Sequence, residues 1–188
     1  TVLPPNQLPV ANAGANQTLS LLPGQTSITT QLNGTASVDP DGTIVGYSWA
    51  GSGSGTPTPA AVVRPTVSLP LGTHTFNLVV TDNKGAVSPP SSMTVQVVQA
   101  QPPVLTVPSL NYSIIQGQTL NIEVSAMDPD GDPLSLSATP VIKTSTFTTS
   151  SGTTAQGTFT FTPDSTQTGR HFVNFKARDP LGLNDTKT

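Results

Sequence analysis

Apolar residues in this 188-residue chain alternate with polar ones over short runs rich in β-branched side chains. Ile28 and Leu32 belong to one such run, and Phe76, Leu78 and Val80 recur with the same two-residue period in another. Successive side chains of a strand point to opposite faces, so this period predicts half-buried strands. No stretch carries the apolar period of a helix over a useful length. The pattern therefore predicts an all-β fold.

Alternation and turn residues together predict about seven strands in each half of the chain. In the first half these strands lie near residues 10–13, 18–22, 27–33, 43–50, 60–69, 73–82 and 91–98. In the second half they lie near residues 104–107, 111–115, 119–126, 133–139, 141–149, 157–162 and 170–179. We expect the second half to lack most of its last strand. Three explanations stay open: a domain boundary drawn short, further sequence beyond residue 188, or a strand added by another molecule.

Three motifs of the first half return in the second half, in the same order. The motifs and their copies are Asp39–Gly42 and Asp128–Gly131, Ser20–Thr26 and Ser113–Thr119, and Gly72–Gly85 and Gly169–Gly182. The copies lie about 90 residues apart, which is the size of one small domain rather than of a short repeat. The sequence therefore predicts two tandem Ig-like β-sandwiches, with domains at 1–99 and 104–188 and a Pro-Pro hinge at 100–103.

Composition excludes several classes of protein. The chain has no Cys, which rules out disulfides and thiolate chemistry. Its net charge is −3, and its seven Lys and Arg residues are scattered, whereas nucleic-acid binding needs a concentrated basic surface. No run of about 20 apolar residues is present, so we expect no membrane span in this segment. Without an initiator Met or a signal peptide, the chain is expected to be a piece of a longer protein.

Spaced motifs in both halves resemble known extracellular domains. The first half, about residues 8–98, resembles the PKD-type domain through Pro9–Gly14, Leu32–Trp49 and Thr81–Gly85. The second half, about residues 103–188, resembles cadherin-like or Ig-like repeats of bacterial surface proteins through Ala126–Leu134 and Phe159–Pro163. These resemblances imply seven-stranded Ig-like sandwiches that space, adhere or bind, and that include calcium binders.

The resemblances favour a non-catalytic spacer or adhesion module of a larger extracellular or cell-surface protein, stiffened by calcium. Carbohydrate- or matrix-binding accessory domains of a secreted hydrolase are one alternative. A self-assembling filament or sheath subunit that uses strand addition is another. The corresponding partners are other surface proteins, polysaccharide, matrix or further copies of the chain, and not nucleic acid.

Calcium is the sharpest ligand candidate for the aspartates. Ca²⁺ takes six to eight oxygen ligands, and an Asp-Pro-Asp-Gly turn presents two carboxylates close to an aspartate at a strand end. The candidate metal ligands are Asp39, Asp41 and Asp82 in the first domain and Asp128, Asp130, Asp132, Asp179 and Asp185 in the second. The alternative is that these aspartates only cap the backbone of their turns, without a metal.

No residue of the chain is assigned a catalytic or cofactor-binding role. Nucleophile elbows, phosphate loops and metalloprotease helices do not occur, so we expect no enzyme. His74 and His171 occupy the same place in both copies and are predicted to be buried and hydrogen-bonded to nearby backbone, as in a tyrosine corner. Trp49 is predicted to be the core aromatic of the first domain, and the run Gly51–Gly55 to form a flexible loop.

Overall fold

The fold is described from a computed structural model, which covers residues 4–52, 55–58 and 60–188. The chain divides into two compact units between Ala100 and Gln101. Every regular element in the described residues is a β-strand, which confirms the all-β prediction. Within the same residues, no helix has the length and apolar character needed to cross a membrane.

The first unit is an Ig-like sandwich of two sheets. Its strands are β1 (Gln17–Leu21), β2 (Ile28–Gln31), β3 (Ile44–Ser52), β4 (Thr66–Leu69), β5 (Gly72–Asp82) and β6 (Ser91–Gln99). One sheet has the order β1-β6-β5-β3, and β2 pairs with β4 in the other. β1 runs parallel to β6, while the other pairs are antiparallel. The loop predicted at residues 51–55 is wrong at residues 51 and 52, which belong to β3, and residues 53 and 54 lie outside the described residues.

The core of the first unit follows from the alternation along its strands. β5 alternates buried and half-buried side chains, and its inward face carries Phe76, Leu78 and Val80. Trp49 on β3 is buried among them, and its indole N–H donates a hydrogen bond to the backbone oxygen of Val62 at 3.1 Å. Its predicted role as a core aromatic is confirmed. Burial of each such side chain stabilises the fold by about 1.5–3 kcal/mol.

The second unit is also an Ig-like sandwich, built only from antiparallel pairs. Its strands are β7 (Val104–Thr106), β8 (Leu120–Met127), β9 (Ser135–Thr139), β10 (Ser145–Thr149), β11 (Thr154–Phe161), β12 (Asn174–Arg178) and β13 (Asn184–Lys187). One sheet has the order β10-β11-β8-β7 and the other β13-β12-β9.

Aromatic rings from both sheets meet in the core of the second unit. The ring of Phe175 on β12 lies edge-on to Phe159 on β11, with centroids 5.7 Å apart, and 5.9 Å from the ring of Phe147 on β10. Gly157 makes room for this cluster, because a Cβ there would lie 2.6 Å from the ring of Phe147. The cluster joins the two sheets of the unit into one hydrophobic core.

The region around the last strand of the second unit departs from two predictions. Residues 111–115 do not form the predicted strand, and β12 begins at Asn174 rather than near residue 170. In the first unit the matching segment is β1, which forms a strand because it pairs with Val95–Gln99 of β6. β13 is the short last strand expected, with four residues, and it pairs with β12 only over Phe175–Arg178. Residues 111–115 therefore have no β13 residue to pair with.

Candidate functional site

The first aspartate turn lies against the end of β5. This turn, Asp39–Gly42, comes just before β3, and β3 pairs with β5 as far as Asp82. Oδ1 of the buried Asp82 accepts hydrogen bonds from the backbone N–H groups of Lys84 and Ala86, each at 2.8 Å. Its Oδ2 accepts one from the side-chain amide of Asn6 at 2.7 Å. The Asn6 bond first of all, helped by the backbone bonds and opposed by burial, lowers the pKa of Asp82.

Lys84 brings a positive charge to the same turn. Its Nζ lies 2.7 Å from Oδ2 of Asp41 and 3.2 Å from the Asp41 backbone oxygen, while Gln7 N–H donates to Oδ1 of Asp41 at 3.2 Å. The hydrogen bond to Asp41 is the main cause that raises the pKa of Lys84, and the charges of Asp39 and Asp82 act in the same direction. The same bond lowers the pKa of Asp41. The ammonium group of Lys84 therefore neutralises negative charge at the first turn.

Asp39 forms a hydrogen bond inside its own turn. Its Oδ1 accepts a hydrogen bond from the backbone N–H of Asp41 at 3.3 Å, and its Oδ2 is buried without a partner among the described residues. A Cβ on Gly42 would lie 2.5 Å from that Oδ2 and still closer to Oδ1 of Asn83. A side chain at that position would therefore displace the end of the Asp39 or the Asn83 side chain.

The second aspartate turn, Asp128–Gly131, resembles the first, but more of the carboxylate oxygens at this turn lack a hydrogen-bond partner among the described residues. Oδ1 of Asp128 accepts hydrogen bonds from the backbone N–H groups of Asp130 and Asp132, at 2.9 and 3.2 Å. Asp179, which follows β12, accepts one at Oδ1 from Leu183 N–H at 2.8 Å. Asp128 and Asp179 are each only 5% exposed, and the Oδ2 atom of each is buried with no hydrogen-bond partner in the described part of the chain.

Asp132 adds a further carboxylate to this second turn, at the position that Thr43 occupies in the first copy. Partial burial is the main cause that raises its pKa, followed by the negative charges of Asp128, Asp179 and Asp130. The charges of the other three aspartates therefore all act on Asp132. These three are the strand-end residue and the two aspartates of the turn.

Two predicted ligands of the second unit have other partners. Oδ2 of Asp130 accepts a hydrogen bond from Gln101 N–H at 2.6 Å. Asp185 lies on β13, where its Oδ2 accepts one from Leu105 N–H of β7 at 3.0 Å and lies 3.3 Å from Nζ of Lys187. Burial opposes ionisation of Asp185, but these contacts outweigh it and lower its pKa. Asp185 thus links β13 to β7.

Among the described residues, no group of three or more His, Asp or Glu side chains is gathered as a ready metal site. Calcium binding by the eight aspartates therefore stays a prediction. Sequence reasoning overlooked Lys84 and Asn6, whose side chains contact Asp41 and Asp82. Aligning the two copies would have drawn attention to Lys84, because Leu181 stands at the same position in the second copy.

The two histidines are less alike than predicted. His74 is buried and donates a hydrogen bond from Nε2 to the backbone oxygen of Pro70 at 2.9 Å, which confirms its structural role. His171 makes the equivalent bond to the oxygen of Gln167 at 3.2 Å, but it is exposed, so its predicted burial is wrong. The reason is that β12 begins only at Asn174, which leaves His171 outside the sheet.

Comparison with protein families identifies both halves of the chain. A PKD domain matches residues 13–98, and a bacterial Ig domain matches residues 100–188. The chain is a PKD-type domain followed by a bacterial Ig domain. Both resemblances and their order are thereby confirmed. Domains of these two kinds are typically non-catalytic and typical of extracellular or surface proteins.

Solved structures match this chain at low sequence identity. A titin fragment of three Ig domains is 11% identical over 95% of this chain and 62% of the fragment, with a TM-score of 0.52. The D00-D0 domain of intimin is 14% identical over 95% of this chain and 98% of that chain, with a TM-score of 0.40. Such identities show the fold alone. A comparison with curated proteins finds no match.

Proposed function

We propose that this chain is a non-catalytic spacer and adhesion module within a larger extracellular or cell-surface protein. The observation that carries this proposal is the tandem of two Ig-like units, each with its own closed hydrophobic core. A unit with its own core resists unfolding without help from a neighbour, which is what a load-bearing spacer requires. The family types of both domains support the same location and the same absence of catalysis.

The connection between the units supports a spacer as well. In the first unit, Ala100 N–H donates a hydrogen bond to the backbone oxygen of Leu21 at 2.9 Å. In the second unit, Gln101 N–H donates to Asp130. Two prolines at 102 and 103 follow, and proline fixes φ and favours an extended chain. Each unit thus holds the residue at its own end of the chain segment that joins them.

Force spectroscopy on the whole 188-residue chain tests the mechanical part of this proposal. We expect two unfolding events, each releasing on the order of 30 nm of chain. Phe76→Ala should lower the force of one event and Phe175→Ala that of the other, because the two rings lie in separate cores. A single unfolding event, or one substitution that weakens both events, would contradict it.

Adhesion needs a separate measurement, because a spacer does not have to bind. We expect beads coated with the chain to adhere to at least one of three surfaces: the chain itself, an insoluble polysaccharide or collagen. Beads coated with the chain carrying both core substitutions serve as the control, since they present the same composition without the fold. Adhesion equal to this control on all three surfaces would reduce the function to spacing.

Assembly by strand addition is a second candidate, and one observation favours it. Residues 111–115 match β1 by sequence but lie outside any strand, and Tyr112 is exposed where the matching Leu19 packs against the core of the first unit. A strand from another copy would cover this segment. Sedimentation velocity over rising concentration should then show oligomers that Tyr112→Lys removes and Val141→Lys, at another exposed apolar site, leaves intact. A monomer at every concentration would exclude this candidate.

A further inference from the structure

The two aspartate turns share their backbone plan but differ in how their charge is neutralised. In the first unit, Asn6 donates to Oδ2 of Asp82, and Lys84 pairs with the carboxylate of Asp41. In the second copy, Leu181 stands at the position of Lys84, two residues after the strand-end aspartate. Neither the cation nor its hydrogen bonds are therefore reproduced at that position.

The hydrogen bond that Asn6 donates to Asp82 has no counterpart in the second copy either. Gln7 and Gln101 are matching residues, because each donates its backbone N–H to the second aspartate of its turn. The residue before Gln7 is Asn6, whereas the residue before Gln101 is Ala100, which has no polar side chain. Lys84 and Asn6 therefore both correspond to apolar residues, Leu181 and Ala100, in the second copy.

The strand-end aspartates show the difference between the two units. Oδ2 of Asp179 is buried without a partner in the described residues, whereas Oδ2 of the matching Asp82 accepts the hydrogen bond from Asn6. Oδ2 of Asp128, like that of Asp39 in the first unit, is also buried without a partner there, and Asp128 and Asp179 are each only 5% exposed. Burying an ionised carboxylate without a partner is costly, and such groups in proteins are paired with a cation or bind a metal. Asp132, present only in the second copy, brings one more carboxylate to the same turn.

We propose that the second unit binds one calcium ion through Asp128, Asp179 and Asp132, and that Lys84 makes the first unit independent of calcium. The two buried Oδ2 atoms supply the first ligands. Backbone hydrogen bonds from Asp132 and Leu183 to the opposite oxygens already hold Asp128 and Asp179 in place. Calcium fits better than magnesium, because it accepts irregular sets of six to eight oxygens, including backbone carbonyls and water.

Binding requires one local rearrangement. The three carboxylates are not gathered around one point among the described residues, so the half-buried Asp132 has to turn inward to join the other two. A site with two fixed ligands and one recruited ligand is suited to the affinity of extracellular calcium modules, with a Kd of about 0.1–1 mM.

Thermal unfolding of the whole chain, in EDTA and in about 10 mM CaCl₂, tests this proposal. We expect calcium to raise the midpoint of one transition by about 5 °C or more and to leave the other unchanged. Asp179→Asn should abolish the rise. This variant keeps the Oδ1 acceptor for Leu183 N–H, so it preserves the turn. Isothermal titration with CaCl₂ should show one site in the parent chain and none in the variant.

Leu181→Lys is the second variant, and it moves the built-in cation of the first unit into the second. It should raise the midpoint in EDTA and remove the response to calcium, while Lys84→Met leaves that response intact. Superimposable melts of the parent chain with and without calcium would overturn the proposal. A rise that survives Asp179→Asn, or an equal rise with MgCl₂, would also overturn it, because either result indicates general screening of an acidic surface.

Discussion

Nζ of Lys84 lies 2.7 Å from Oδ2 of Asp41, and this ion pair places a positive charge of the chain itself against the acidic turn of the first unit. The lysine comes two residues after Asp82, on the short connection that leaves β5, so the topology of the sandwich returns it to the turn before β3. The second unit keeps that topology and has Leu181 instead. Lys84 is therefore one of the residues, with Asn6 in the first unit and Asp132 in the second, that distinguish the two turns.

Removing this ammonium should destabilise the first unit in a salt-dependent way. Lys84→Met leaves Asp39, Asp41 and Asp82 without their nearest positive charge, so they repel one another at low ionic strength. We expect a lower thermal midpoint for the first unit in dilute buffer, with a difference from the parent chain that shrinks as NaCl is added.

Lys143→Met provides the matched control for Lys84→Met, because Lys143 pairs with a single carboxylate, Asp164, and is more exposed. Its effect should be smaller and should fall on the second unit. A loss at Lys84 that is the same at low and high salt would show that packing of its alkyl chain, and not its charge, matters.

The histidines allow a comparison of one hydrogen bond in two settings. His74→Phe leaves the backbone oxygen of Pro70 without its donor in a buried place, which costs about 1–3 kcal/mol. His171→Phe removes the same kind of bond at an exposed place, where water replaces it, so its effect should be near zero. Urea unfolding of both variants measures the difference. Equal losses would mean that exposure does not set the cost.

Local periodicity explains why most of the fold was predictable from the sequence. The two-residue alternation along Phe76, Leu78 and Val80 fixes which face of β5 is buried, because strand geometry alone decides it. Residues 111–115 show where such reasoning fails. They have the right pattern, but an edge segment becomes a strand only when a neighbouring strand supplies hydrogen bonds, and that depends on residues far away in the sequence.

The candidate site was predictable only in part for the same reason. The motif copies directed attention to Asp128 and Asp179, since turn and strand end recur together, while Asp132 has no counterpart in the first copy. They gave no sign of the bond from Asn6 to Asp82, which joins residues 76 positions apart. Whether a buried carboxylate is satisfied by the protein or open to a ligand is decided by such distant contacts.

Gly42 offers a steric test of the first turn. A Cβ at this position would lie 2.5 Å from Oδ2 of Asp39, so Gly42→Ala must push the carboxylate or Asn83 out of place. We expect a loss of about 1 kcal/mol in urea unfolding, at the low end for overpacked sites, because both atoms are the ends of side chains. Gly46→Ala is the matched control, because its Cβ would meet Thr81 at an ordinary 3.4 Å. Equal stability of the two variants would show that the turn adapts.

The lowered pKa of Asp164 makes the stability of the second unit depend on pH under acidic conditions. The hydrogen bond from Lys143, followed by those from the side chain and backbone of Thr166, lowers its pKa from 3.8 to about 2. Because the folded state has the lower pKa, these contacts stabilise it fully above pH 3.8. That contribution falls as the pH drops from 3.8 towards 2.

Asp164→Asn isolates this contribution from those of the other carboxylates. Urea midpoints of the parent chain and the variant should differ by a constant amount above pH 3.8 and converge as the pH approaches 2. The convergence follows because a protonated Asp164, like the neutral amide of the variant, carries no charge for Lys143 to pair with. A difference that is constant down to pH 2 would mean that Asp164 contributes through its turn hydrogen bonds alone and not through its charge.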